Sequence, residues 1–244
     1  MSQLSTFLAG ATTMASALAA VFMLTGARDP GRQANFDEIT VGRINIVEPD
    51  GTRRLIISNR AQFPGAFHEG KEIERPNRRT FAGMLFINEE GTENGGFLQK
   101  GSIDGTGKVN SGLSLTFDRF RQDQALQLLN TDSEKSQQTA LIINDVPNFK
   151  VTSMDDHPRF REEAGKLDAA GRKAYWNKLT EQGRLSVNRI WLGNTAAQGS
   201  SLQLKDAQGR VRMMLLVGAD GKAEIQMLDE TGKVVRSITP DLQQ

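Results

Sequence analysis

From Met1 to Ala27 the chain carries no Asp, Glu, Lys, Arg or His, and Leu4 through Ala27 is a stretch of 24 small or apolar residues relieved by only a few hydroxyls. As a helix that stretch would be about 36 Å long, against a hydrocarbon core of about 30 Å. One transmembrane helix is therefore expected over residues 1–27. The rival is a cleaved secretory signal, for which Thr25-Gly26-Ala27 supplies small residues ahead of Arg28. Met1-Ser2-Gln3 has no Lys or Arg, however, and the apolar run exceeds the usual signal core of about 7–15 residues. Ala11, Ala15 and Ala19 recur at four-residue spacing, which lets two helix backbones approach closely, so these three are the candidate helix-packing residues. Without histidine, the segment offers no imidazole to a haem iron or a chlorophyll magnesium, and no cofactor is expected. Arg28, Arg32 and Arg43 follow the span and no cation precedes it, which favours an inner-membrane anchor with the remaining chain in the cytoplasm; a periplasmic domain is the alternative.

Beyond a polar linker at 28–37, broken by Pro30 and Gly31, the period of the pattern changes to two. Ile39 to Ile46 alternates apolar and polar residues, Glu48-Pro49-Asp50-Gly51 forms a turn, and Leu55-Ile56-Ile57 returns, which predicts a hairpin. Met84–Ile87 and Leu113–Phe117 are further strand-like runs. In the last third, turns ending at Gly209, Gly221 and Gly232 separate Val211–Val217 from Ala223–Leu228, the rhythm of an antiparallel meander. Leu185–Leu192 repeats the V-x-R-I-x-[IL] pattern of the first strand, as an internal duplication would. The expected fold is mainly β: an antiparallel meander or sandwich-like domain with β-rich portions at 38–150 and 185–244.

Between them, residues 151–184 have helical spacing. Asp156 caps one predicted helix, with Phe160, Ala164 and Leu167 on one face, and Asp168 caps a second, which Gly183 ends. There Trp176 and Leu179 share a face while Arg172, Lys173 and Lys178 face solvent. A short helical insertion is expected.

Composition narrows function mainly by exclusion. With 30 Lys plus Arg against 29 Asp plus Glu the net charge is +1, so no strong field recruits nucleic acid, and no nucleic-acid partner is expected. The absence of cysteine removes disulfides, thiolate nucleophiles and thiolate-bound metals. The only histidines, His68 and His157, have no motif tying them to a nucleophile. Asn88, Glu89, Glu90, Glu93 and Asn94 lack the order of a calcium loop, and Gly105-Thr106-Gly107-Lys108 lacks the first glycine and the hydroxyl residue of a phosphate loop. Asp118 and Asp123 are a carboxylate pair that sequence cannot place in space. No enzyme, metal or small-molecule substrate is expected. The mixed-charge segment Arg60–Thr80, in which His68, Arg75, Arg78 and Arg79 stand out, reads as a long loop suited to a protein partner.

Phe36–Ile39 through Ile57–Asn59, Gly83–Phe86, Asn88–Gly96 and Phe117-Asp118 together resemble a bacterial family of exported or single-span β-rich proteins, over about half of the chain. The resemblance implies an anchored or exported β domain and no activity. A chain of this kind is also similar to accessory subunit S of gemmatimonad-type photosynthetic reaction-centre and light-harvesting complexes. That likeness implies a non-catalytic, single-pass subunit whose partners are the membrane and other transmembrane subunits. The alternative is an envelope-localised carbohydrate- or peptide-binding module.

Overall fold

The computed structural model describes residues 33–134, 136–154, 156–194 and 199–240. The expected transmembrane helix, with Ala11, Ala15 and Ala19, lies outside the described residues. Among those described, no helix is long and apolar enough to cross a membrane.

The strands are β1 (Arg43–Val47), β2 (Arg53–Ser58), β3 (Ala66–His68), β4 (Lys71–Ile73), β5 (Ala82–Ile87), β6 (Glu93–Ile103) and β7 (Val109–Asp118). After them come β8 (Gln124–Ser133), β9 (Ser136–Asp145), β10 (Val187–Asn194), β11 (Ser200–Lys205), β12 (Val211–Val217), β13 (Ala223–Leu228) and β14 (Val234–Ile238). All except β3 and β4 join one antiparallel sheet of 12 strands in the order β1-β2-β5-β6-β7-β8-β9-β10-β11-β12-β13-β14. The mainly β reading is correct, but instead of two stacked layers the long strands form a single sheet, because β9 pairs directly with β10 and joins the two β-rich portions. Ile39–Gly42, expected to open the first strand, precedes β1.

The turns explain the meander. At Glu48–Gly51 and Asp229–Gly232 the glycine takes a left-handed backbone (φ 92° and 86°) and donates its N–H to the first residue of the turn. A register shift then falls beside each turn, at Ile46/Val47 and at Met227/Leu228. Each is a tight turn closed by a bulge, whose left-handed position glycine takes without the backbone strain a side chain would bring.

Residues 59–81 leave the sheet between β2 and β5 and lie back across one face as a strap containing the β3–β4 hairpin. Phe67 of the strap packs with Ile56, Leu85 and Ile87, all buried, and with the partly buried Phe63 and Leu98. Burying each such side chain contributes about 1.5–3 kcal/mol. Gly91 fixes where the strap tip sits: the Gly70 N–H donates to the Gly91 carbonyl over 3.1 Å, and a Cβ on Gly91 would come within 2.6 Å of the Gly70 backbone.

The helical insertion comprises α1 (Asp156–Gly165) and α2 (Ala169–Glu181). Asp168 caps α2 by accepting from the Gly171 N–H at 2.7 Å, and Gly183 follows the helix with φ 64°. Phe160, Ala164 and Leu179 are buried as expected, whereas Leu167 falls beyond the end of α1 and stays exposed, because the chain leaves the helix before its side chain can reach the packed face. Trp176 is half-buried, and Arg172, Lys173 and Lys178 are exposed. The Arg184 guanidinium lies 4.9 Å from the Phe160 ring centroid and 3.5 Å from Asp156, so it links the end of the insertion to its start.

Candidate docking face

Alternation along each strand places residues two apart on one face, and the register shows how those residues line up across the sheet. Ile44 pairs with Ile57, Ile57 with Met84, Met84 with Phe97, Phe97 with Leu115 and Leu115 with Leu128. The row continues through Leu141, Leu192, Leu202, Leu215, Ile225 and Ile238. Every strand of the 12-stranded sheet thus contributes one apolar side chain to an unbroken row.

A second row runs beside it, two residues along each strand. It begins at Ile46, Leu55, Phe86, Gly95, Phe117 and Leu126 and continues through Ile143, Ile190, Leu204, Met213 and Met227 to Arg236. Arg236, at the far edge, is the only charged residue in either row. Apart from Gly95, which is buried and has no side chain, none of these residues is buried by the described residues, and Leu128 (45% exposed), Phe117 (50%) and Leu192 (49%) stand well out. At about 4.8 Å per strand the double row is about 53 Å long. One row further, Gln99, Asn130 and Thr139 flank a single Leu113 and restore polarity on that side of the apolar band.

The face opposite differs in chemistry. There the strap covers the β2–β5 region, and the cross-strand line beyond it runs through Thr116, Gln127, Ile142, Trp191, Gln203, Met214 and Gln226, polar and apolar residues mixed. One face of the sheet is therefore covered by the strap at one end and mixed in polarity beyond it, while the other carries the apolar band.

The strap does not behave as the open loop the sequence suggests. Arg78 donates to both oxygens of Glu93, at 2.6 and 2.8 Å, and to the Gly65 carbonyl at 2.8 Å, so it pins the strap to β6. His68 lies in β3 opposite Lys71. Arg75 reaches the Asn77 side chain at 3.4 Å and Arg79 pairs with Glu74 at 2.6 Å, both at the surface. Arg75 and Arg79 also border a small cavity of about 370 Å³ with Phe63, Pro64, Gly65, Glu72 and Glu74. Of the four residues read as a partner-binding group, only these two share a recess.

The acidic cluster at the β5–β6 turn is occupied by arginines. Glu89 meets Arg54 at 2.7 Å, and Glu90 and Glu69 both meet Arg121, at 2.7 and 2.6 Å. The Arg121 hydrogen bond holds the Glu90 carboxyl below the usual carboxylate range. No group of three or more acidic or histidine side chains is arranged for a metal among the described residues. Gly105–Lys108 belongs to a hairpin turn in which Asp104 accepts from the Thr106 and Lys108 N–H groups.

Asp118 is the exception among the carboxylates. It is mostly buried at the end of β7, and its Oδ1 has no hydrogen-bond partner among the described residues. Burial, reinforced by the charges of Glu93 and Asp123 and opposed by Arg78, pushes its carboxyl up to about 7. Burial without a hydrogen bond to Oδ1 leaves this carboxylate electrostatically strained.

No protein-family model matches this sequence, and no curated protein matches it.

Proposed function

We propose that this protein is a non-catalytic accessory subunit of a larger membrane protein complex, held by one helix over residues 4–25 and by the apolar face of its β domain. The observation that carries the reading is the double apolar row. A face of that extent and continuity marks an interaction surface, since monomeric proteins rarely leave more than a few hundred Å² of contiguous apolar surface in water. The uncharged run from Leu4 to Ala27 supports the anchor, with Ala11, Ala15 and Ala19 as its packing positions against a neighbouring transmembrane helix. The resemblance to accessory subunit S makes a photosynthetic reaction-centre and light-harvesting complex the first assembly to examine, with the anchor in the inner membrane and the domain in the cytoplasm.

The alternative, an envelope module for carbohydrate or peptide, draws on the recess beside Arg75 and Arg79. Mass spectrometry of the native amino terminus, combined with carbonate extraction of membranes, separates the two. The accessory-subunit reading expects residues 1–27 to be retained and the full chain to stay in the membrane pellet. A mature start at Arg28 in a soluble fraction would refute it.

A further inference from the structure

Over β10–β14 the apolar face bends into a groove of about 530 Å³, within the range of small-molecule sites. Its floor is the end of the first row, Leu192, Leu202, Leu215, Ile225 and Ile238, with Pro240 at the rim. Glu224 borders the groove through its backbone, but its carboxylate turns to the other face, to Gln226 and Ser237. The floor therefore presents no charge, and Ser200, Ser201 and Thr239 are the hydroxyl residues of the lining, so a sugar or nucleotide would lose most of its hydration there with little compensation. A second copy of the chain is also a poor filler, because a concave surface is not its own complement. An uncharged rod fits.

Arg236 completes the picture. It lies on β14 two residues before Ile238, on the same face but beside the groove rather than in its lining, and it is exposed with no ion pair among the described residues. We infer that the groove binds a long-chain fatty acid, its carboxylate on Arg236 and its chain laid along the floor from Ile238 to Leu192. Arginine is suited to the headgroup because its planar fork meets a carboxylate with two parallel hydrogen bonds. The floor also sets the length. Five strands at about 4.8 Å make four steps, or about 19 Å, and an extended chain advances about 1.2 Å per bond, so about 16 bonds fill it. The inference goes beyond the accessory-subunit reading and rests on it only for a membrane as the source of lipid.

The test uses the full chain in phospholipid nanodiscs, with a diazirine-bearing palmitate as the probe and peptide mass spectrometry as the readout. Adducts are expected within residues 187–194 and 199–240, to be displaced by palmitate and not by octanoate at the same concentration. Arg236→Glu and Leu215→Gln should each lower that labelling at least tenfold while leaving the circular dichroism spectrum unchanged. Labelling confined to residues 1–27, spread evenly along the sheet, or indifferent to both substitutions overturns the inference. So does a phospholipid or a second copy of the chain found in the groove by native mass spectrometry of the same sample. Carbonate extraction reports the anchor independently, so a chain released from membranes yet labelled in the groove would contradict the accessory-subunit reading alone.

Discussion

Asp118 shows how much one side chain can contribute once its surroundings are fixed. An acid whose folded value is raised from 3.8 to about 7 retains its proton in the folded state while the unfolded chain has lost it. Its contribution to stability is greatest in acid, falls as pH rises between those two values, and is constant above the upper one, where both states are ionised. The full difference is on the order of 4 kcal/mol. Asp118→Asn removes the titration while keeping the shape, so urea denaturation should show the variant gaining on the wild type from about pH 4 to about pH 7 and holding that gain above it. A constant difference across that range would show that Asp118 is not strained. None of this was legible in the sequence, where Asp118 and Asp123 are five residues apart and Arg78 and Glu93 are farther away still. The burial and the partners come from the strap and from the bulge at Phe117/Asp118, neither of which leaves a local signal.

At the scale of elements, the strap divides what sequence reveals from what it hides. Hairpin turns and helix caps are local, so Asp168, Gly183 and the glycines at 209, 221 and 232 were readable from residue type and spacing alone. The strap's two short strands and the buried Phe67 were not, because three-residue strands lack enough alternation to stand out in a charged segment. Arg78 is the clearest case: it read as a surface partner residue, yet only 12% of its side chain is exposed, beside a Glu93 that is 15% exposed. Removing one member of such a pair leaves a buried charge uncompensated, so Arg78→Met should cost about 3–5 kcal/mol by urea denaturation. The double replacement with Glu93→Gln should recover much of that loss. By contrast, Arg79→Ala, which breaks an exposed pair, should change stability by less than about 1 kcal/mol. If Arg78→Met and Arg79→Ala behave alike, the strap is not held by the Arg78–Glu93 pair. Gly91→Ala tests the same contact from the turn: it places a methyl group against Gly70 and a side chain at φ 79°, and should expose the Gly70 amide to hydrogen exchange.

The molecule as a whole is a sheet with one apolar face left uncovered by the described residues. Alternation within each strand was visible in the sequence and predicted which residues point together. That the strands line up their apolar side chains in two parallel rows depends on register, which is set by turn lengths and bulges over about 200 residues and escapes any window of ten. Domains normally bury such a face against a second layer, and the account here assigns that layer to neighbouring subunits. Leu128, near the middle of the first row, offers the most direct test. A Leu128→Glu variant of the full chain would be compared with the wild type by native gel after mild solubilisation of membranes, with Lys173→Glu on the exposed side of α2 as the control for added negative charge. The account predicts that Leu128→Glu leaves the large complex while its domain melts within about 2 °C of the wild type, and that Lys173→Glu stays bound. A folded Leu128→Glu variant that still migrates with the complex would contradict the claim that this face provides the attachment.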